Sequence, residues 1–176
     1  MTIDLVDSLP KHSYKKYSKR DLKKIKRIVV HHFAGNISIE DAATLHVSKG
    51  WPGIGYHFVI EKDGTTNLTQ RLDTISYNVG NNNTPTIGIA VRGDFTHELP
   101  LSCQLYALEE LIDSLRIILG ELPVYGHYEF RATECPGKKF RGWLSYKYPS
   151  PPQPLSVPLS KIRRWWKNLW EGKDHA

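Results

Sequence analysis

Cysteine and long apolar runs are scarce in this chain of 176 residues, and each scarcity excludes a class of protein. With two cysteines, Cys103 and Cys135, at most one disulfide can form, so a disulfide-built scaffold is excluded. No segment approaches the roughly 18 to 20 consecutive apolar residues of a membrane span. The chain has no internal repeat, and its length fits one ordinary domain with extra segments at its ends.

The first residues lack the character of a secretory signal peptide. Acidic side chains occur within residues 1–7, where a signal peptide is positively charged, and no long apolar core follows. We therefore expect a soluble protein without a signal peptide, which stays in the cytoplasm of the producing cell until it is released.

Charge is distributed unevenly along the chain. Residues 1–30 carry nine Lys/Arg against three acids, residues 31–137 carry six against thirteen, and residues 138–176 carry nine against two. Two basic ends therefore flank an acidic middle, a pattern that favours polyanionic partners such as anionic lipid, an anionic cell wall or nucleic acid. Nucleic acid is the weaker candidate because no base-reading motif accompanies the charge. The other interpretation is that the basic ends only increase the solubility of the protein.

Apolar periodicity predicts strands that alternate with helices. The predicted strands are 27–33, 56–60, 65–70, 87–91 and 123–125, and the predicted helices are 38–49 and 101–119. A third helix is expected from about residue 18, and Cys103 is expected to be buried in the helix 101–119. The pattern indicates an α/β fold in which helices cover a mixed central sheet, built as a single domain with basic N- and C-terminal extensions.

The C-terminal region has a composition of its own. Residues 149–158 contain five prolines and are typical of an extended linker. Residues 161–170 can form a basic amphipathic helix rich in tryptophan, suited to a membrane interface or another anionic surface. Packing of its aromatic side chains on the domain is the alternative. The chain thus divides into an extension at 1–24, a domain at 25–148, and a linker with a tail at 149–176.

Metal-binding chemistry is concentrated in residues 126–137. This segment places the imidazole of His127 and the thiol of Cys135 eight positions apart, and His31 lies at the end of a predicted buried strand. Two histidines and one cysteine can hold Zn²⁺ with a fourth position open for water, as in catalytic zinc sites. Spacing within a loop does not fix geometry, so a packed histidine and an unrelated thiol remain the alternative.

Four segments, at 29–35, 55–60, 86–90 and 126–137, carry a resemblance to a known family. They resemble, in order and spacing, the signatures of the zinc-dependent N-acetylmuramoyl-L-alanine amidases of the type-2 amidase and peptidoglycan recognition protein superfamily. The resemblance covers residues 25–145. The compact form without a signal peptide is most similar to bacteriophage endolysins.

The resemblance implies a function and a set of site residues. It implies hydrolysis of the amide bond between N-acetylmuramic acid and L-alanine in bacterial peptidoglycan, with lysis of the cell wall by a monomeric, antibacterial enzyme. Zn²⁺ would be the cofactor, with His31, His127 and Cys135 as its ligands. Tyr56 and Thr133 would be the catalytic side chains, and the domain at 25–148 would be the catalytic domain.

Two positions depart from the family pattern. Thr133 stands where some relatives have lysine, so we expect it to supply a hydrogen bond rather than a charge. Asn78 stands where many relatives have histidine, which affects one expected substrate contact. Strand alternation places His32 on the opposite face from His31. Glu134 is left outside the catalytic set, and packing or surface roles are expected for His46, His57 and His97.

Two other functions compete with the amidase. A non-catalytic peptidoglycan-binding module is one, although such recognition proteins typically lack the cysteine ligand. A Cys/His peptidase with Cys135 as its nucleophile is the other. In each case the basic ends are expected to concentrate the protein on anionic envelope polymers or lipids.

Overall fold

The computed structural model describes residues 2–149, and six strands in this part of the chain form one sheet. The strands are β1 (Thr2–Asp4), β2 (Arg27–His32), β3 (Phe58–Ile60), β4 (Thr66–Leu68), β5 (Thr86–Val91) and β6 (Val124–Gly126). The helices are α1 (Ile39–Ser48), α2 (Ser102–Leu119) and α3 (Lys138–Lys147). Short 3₁₀ turns occur at Leu22–Lys24, Gly80–Asn82 and His127–Glu129.

The sheet is mixed, with the strand order β1-β4-β3-β5-β2-β6. β5 pairs in parallel with β2 and β3, and β2 also pairs in parallel with β6. β4 runs antiparallel to β3, and β1 extends the far edge by parallel pairing with β4. The predicted α/β fold with a mixed central sheet and covering helices is therefore confirmed.

Helices cover both faces of the sheet, which explains why its central strands contain continuous runs of apolar residues. The consecutive residues Val29 and Val30 of β2 point to opposite faces, and both are fully buried. Val30 lies in the larger hydrophobic cluster with Leu108 of α2 and Phe140 of α3. Ala43 of α1 belongs to a second cluster on the other face. Burial on two sides holds β2 rigidly at the centre of the domain.

Local sequence signals set several element boundaries. Ser38 is the N-cap of α1, and its hydroxyl accepts a hydrogen bond from the Asp41 amide at 3.0 Å. The hairpin of β3 and β4 turns at Gly64, whose φ of 85° favours glycine. α2 ends at Gly120, which has the same φ.

The helix predicted from residue 18 is wrong. The segment contains a single 3₁₀ turn at Leu22–Lys24, which the Asp21 side chain caps. The chain then extends towards β2, and the Lys26 amide donates to the Pro85 carbonyl at 2.9 Å. Apolar residues at helical spacing therefore do not form a helix here, because neighbouring loops supply the backbone hydrogen bonds.

The expected burial of Cys103 is also wrong. Cys103 is exposed, and its Sγ lies 3.2 Å from the Lys62 carbonyl oxygen. The buried stripe of α2 includes Gln104, Ala107 and Leu108, so Cys103 lies beside the stripe rather than on it. The apolar pattern of α2 therefore did not show on which side of the helix this thiol lies.

The N-terminal residues are attached to the sheet by a strand and a buried arginine. β1 pairs with β4, and Arg20 is 6% exposed. Its Nε donates to the Leu72 carbonyl at 2.9 Å, and its Nη1 donates to the carbonyls of Thr84 and Thr86 at 2.7 and 2.8 Å. The proline-rich linker beyond residue 149 and the tryptophan-rich tail lie outside the described residues. Within residues 2–149, no helix is long and apolar enough to cross a membrane.

Candidate metal centre

Parallel pairing of β2 with β6 brings two histidines side by side. Val30 of β2 is the partner of Gly126 of β6, so the next residues, His31 and His127, lie side by side at the carboxyl ends of these strands. Their ring centroids are 4.6 Å apart. The carboxyl ends of parallel strands commonly hold the functional sites of α/β proteins.

The loop after His127 returns to place Cys135 against the same edge. The Tyr128 amide donates to the Cys135 carbonyl at 3.1 Å, which closes the loop. Cys135 Sγ lies 3.7 Å from His31 Nδ1 and accepts a hydrogen bond from the His32 amide at 3.4 Å. One nitrogen from each histidine and the sulfur all lie within 4.8 Å of one another.

The three side chains fit a zinc ion. His127 Nε2 is buried and has no hydrogen-bond partner among residues 2–149, which is costly unless another group engages it. Burial lowers the pKa of His31 well below its ordinary value and that of His127 to about 4, so both imidazoles are neutral near pH 7. Two neutral imidazoles and one thiol form a nitrogen and sulfur donor set that suits zinc.

Burial keeps the Cys135 side chain a thiol in the protein alone. It raises the pKa of the Cys135 thiol to about 12, against smaller lowering effects from the His32 amide and Arg141. A coordinating metal ion deprotonates such a thiol outright.

Tyr56 stands beside the two histidines, just before β3. Its ring centroid is 5.2 Å from that of His31, and the Phe33 ring stacks on it at 5.8 Å. Burial raises the pKa of the Tyr56 phenol above its ordinary value, with Cys135 as a second cause. The phenol therefore remains an O–H donor at neutral pH.

Thr133 lies on the loop that carries Cys135. Its hydroxyl oxygen accepts a hydrogen bond from the Cys135 amide at 3.2 Å, and its carbonyl accepts one from the Arg141 guanidinium. Because a hydroxyl can accept and donate together, the Thr133 O–H can still donate towards the site. Thr133 thus also holds the backbone of the loop next to the proposed sulfur ligand.

These side chains line one open cleft of about 410 Å³. Trp51 and Tyr77 form an aromatic part of its wall, with ring centroids 6.0 Å apart. Asp94 and Thr96 supply polar groups on the wall. The sequence gives no sign of these four residues, because they lie in loops where no periodic pattern or short motif marks them.

The N-acetylmuramoyl-L-alanine amidase family matches residues 21–138, the part of the chain that contains the three candidate ligand atoms, Tyr56 and Thr133. The chain belongs to this amidase family. The predicted resemblance is thereby confirmed.

Similar proteins of the amidase family include recognition proteins and phage enzymes. The chain is 31% identical over 137 residues to peptidoglycan-recognition protein SC2 of Drosophila melanogaster, covering 68% of this chain and 74% of that protein. It is 23% identical over 119 residues to the endolysin of Enterobacteria phage K11, covering 62% and 76%. The solved structure of N-acetylmuramoyl-L-alanine amidase LysC from Clostridium intestinale URNW has a TM-score of 0.70 and 26% identity, covering 84% and 96%.

Two other histidines of this amidase-family domain use their rings in contacts outside the set of three candidate ligand atoms. His32 Nδ1 accepts a hydrogen bond from the Phe95 amide at 3.3 Å, on the opposite side of β2 from His31. His46 accepts one from the Gly55 amide at 3.1 Å and stacks on Trp51. The remaining histidines are the buried His57 and the exposed His97.

Asn78 and Glu134 also line the cleft, in different ways. Asn78 is 8% exposed, and its Oδ1 lies 3.3 Å from His31 Nε2, so its first contact is with a proposed ligand. The side chain of Glu134 is 73% exposed and lies 3.8 Å from Arg141. The geometry gives Glu134 no contact with the ligand atoms, whereas Asn78 contacts one of the rings.

Proposed function

We propose that this chain is a zinc-dependent N-acetylmuramoyl-L-alanine amidase. It hydrolyses the amide bond between N-acetylmuramic acid and L-alanine in bacterial peptidoglycan and so lyses the cell wall after release from the producing cell. The observation that carries the proposal is the cluster of three ligand atoms within 4.8 Å in an open cleft, in a chain of this family.

His31, His127 and Cys135 would hold the zinc ion. When bound, zinc polarises a carbonyl group and lowers the pKa of a coordinated water towards about 7. The rigid β2 and β6 fix the two imidazoles, and the loop hydrogen bonds at Tyr128 and Thr133 fix the thiol. Little reorganisation of the protein is needed, because the three atoms already converge.

Tyr56 and Thr133 are the hydrogen-bond donors of the proposed mechanism. Attack on the scissile carbonyl places negative charge on its oxygen, and a preorganised O–H donor stabilises that charge. The raised pKa of Tyr56 keeps its proton available for this purpose. Thr133 can donate a second hydrogen bond, without the charge that a lysine would bring.

Muropeptide release from purified sacculi tests this function. We expect new L-alanine amino groups to appear, a chelator to abolish the release, and added zinc to restore it. The proposed enzyme activity is contradicted if metal analysis shows zinc bound to the protein and the sacculi still yield no new amino groups.

A recognition role is the second candidate, because proteins similar to this chain include peptidoglycan-recognition proteins. A recognition module would bind sacculi without releasing amino groups. The presence of Cys135 beside two histidines favours the enzyme, since binding alone does not require a metal-ligand set.

A thiol peptidase is disfavoured by the surroundings of Cys135. A nucleophilic cysteine needs a lowered pKa and an electropositive environment, whereas burial raises the pKa of this thiol. Activity that survives the chelator would nevertheless favour the thiol mechanism.

We also propose that the basic ends bind anionic polymers or lipids of the bacterial envelope. In the described part of the chain, four lysines and an arginine line a cavity of about 350 Å³; they are Lys11, Lys15, Lys16, Lys19 and Arg71. Ion pairs with nearby aspartates neutralise part of this charge. The basic tail beyond residue 149 would add to the attraction.

A further inference from the structure

A chain of buried polar side chains runs behind His31, on the side away from Cys135. Its members are Asn78, Ser76, His57 and Arg20, which are 8%, 0%, 0% and 6% exposed. Buried polar groups are expensive unless each is hydrogen-bonded, so the placement of every proton in such a chain is restricted.

The order of donors starts from a backbone amide. The Gly88 N–H lies 3.1 Å from His57 Nδ1, and an amide N–H can only donate. Nδ1 is therefore an acceptor, while Nε2 lies between the Thr74 carbonyl oxygen, at 3.0 Å, and the Arg20 guanidinium. Ser76 Oγ lies 3.0 Å from Nδ1, so its hydroxyl must donate there.

Arg20 reinforces the neutral state of His57. Its Nη2 lies 2.9 Å from His57 Nε2 and brings a positive charge against the ring. Burial and then Arg20 lower the pKa of His57 to about 3. The arginine also donates to carbonyls on both sides of the Ser76 segment, at Leu72 and Thr86, and so holds that segment in place.

The donor order continues to the proposed zinc ligand. Because the Ser76 proton is directed at His57, its oxygen accepts from Asn78 Nδ2, at 2.9 Å. Asn78 Nδ2 also donates to the Ser76 carbonyl oxygen at 3.5 Å, and a carbonyl can only accept. The two contacts fix the amide of Asn78 with Oδ1 towards His31 Nε2, at 3.3 Å. An amide oxygen can only accept, so His31 carries its proton on Nε2. The lone pair of Nδ1 then faces Cys135 Sγ.

Gly88 also provides the space for this arrangement. A Cβ atom at position 88 would lie 2.7 Å from Asn78 Cγ, closer than carbon atoms pack. The same residue therefore supplies the starting donor and admits the amide of Asn78.

We propose that Asn78 is a positioning residue, which fixes His31 as the Nε2–H tautomer with Nδ1 available to zinc, and that Ser76, His57 and Arg20 hold Asn78 in that orientation. The inference rests on the proposed zinc site but does not depend on amidase turnover. Partners of this kind commonly contribute about 10- to 100-fold to metal affinity.

Zinc affinity of Asn78→Leu, measured by competition with a chromophoric chelator, tests the proposal. Asn67→Leu is the matched control, because Asn67 is 4% exposed and lies on β4, and its side-chain amide donates only to the Val59 and Thr65 carbonyls among the described residues. We expect zinc binding to weaken by about 10- to 100-fold in Asn78→Leu and to stay near the unmodified value in Asn67→Leu.

Ser76→Ala is a milder second variant, with a smaller weakening expected. Nitrogen-15 NMR of the histidine rings in the unmodified protein gives an independent measurement. We expect His31 as Nε2–H without metal and coordination through Nδ1 with zinc.

The outcomes separate the two proposals. An unmodified protein that binds no zinc rejects the metal site itself. Zinc coordination through His31 Nε2, or equal affinities for Asn78→Leu and Asn67→Leu in a protein that binds zinc, overturns the positioning role and leaves the zinc site standing.

Discussion

Cys135 is the proposed ligand whose removal separates metal binding from folding. It lies in a loop rather than in the sheet, so Cys135→Ala should leave the fold intact. We expect this variant to lose bound zinc and amide hydrolysis together, because two histidines alone hold zinc weakly. Metal analysis and muropeptide release are the measurements. Cys103→Ala, on the exposed side of α2, is the matched control and should change neither quantity.

Tyr56→Phe tests the proposed O–H donor. The ring contacts with His31 and Phe33 would remain, while the hydroxyl is lost. We expect kcat to fall by about 10²- to 10³-fold with zinc affinity unchanged, since loss of one oxyanion donor has that effect. Tyr77→Phe, on the wall of the same cleft, should keep kcat near the original value. Equal losses of kcat in the two variants would contradict the role of Tyr56.

At the scale of single residues, the sequence predicted which side chains lie together where a short motif marks them. His31, His127, Cys135 and Tyr56 lie in short segments with recognisable neighbours, and the structure brings all four to one edge of the sheet. The contact between Asn78 and His31 could not be predicted. It depends on the loop before β5 reaching behind β2, which no local pattern of the chain encodes.

At the scale of elements, Arg20 joins the N-terminal segment to the loops around β5. Replacement by methionine leaves the carbonyls of Leu72, Thr84 and Thr86 without their donor. We expect Arg20→Met to lower the free energy of unfolding by about 2–4 kcal/mol in urea denaturation. Lys19→Met should change it by less than about 1 kcal/mol, because the neighbouring Lys19–Asp73 pair is exposed. If Arg20→Met and Lys19→Met unfold at similar urea concentrations, a structural role for Arg20 is contradicted.

The central strands were predictable because burial on both faces requires continuous apolar residues, as in β2 and β5. β1 and α3 were not predicted. β1 is a three-residue edge strand whose side chains are exposed, and its single apolar residue, Ile3, is too little to predict a strand. α3 buries only Phe140 and Leu144, too few residues to produce a clear helical period.

At the scale of the whole molecule, buried histidines make the metal-free protein sensitive to acid. The pKa of His57 is about 3 in the folded protein and 6.5 ordinarily. Between these pH values the imidazole is protonated in the unfolded chain and stays neutral in the folded protein. The stabilisation is therefore complete above pH 6.5 and is lost as the pH falls towards 3. Between pH 7.5 and 5 we expect a loss of about 2 kcal/mol from His57 alone, measured by urea denaturation.

His57→Gln provides the control for this pH dependence. It removes one titrating group, so its stability should change less over the same pH interval. A free energy of unfolding that is independent of pH between 7.5 and 5 in the original protein would refute the expectation.

The basic ends should act through long-range attraction to the envelope. Deletion of residues 159–176 tests one end. The combined changes Lys11→Gln, Lys15→Gln and Lys16→Gln test the other, since truncation would remove β1 and Arg20 from the fold. Both variants should bind sacculi that retain their anionic polymers more weakly and with less dependence on salt. Unchanged binding in both cosedimentation assays would reject the proposal.

The separation of the proposed ligands along the chain has a kinetic consequence. His31 and Cys135 are 104 positions apart, and the sheet that unites them pairs β2 with strands much later in the sequence. The ion therefore cannot serve as a nucleus for the early chain, because its binding atoms meet only after these distant pairings form. Zinc should leave the refolding rate nearly unchanged and slow unfolding, so that the metal prolongs the lifetime of the native protein rather than guiding its formation.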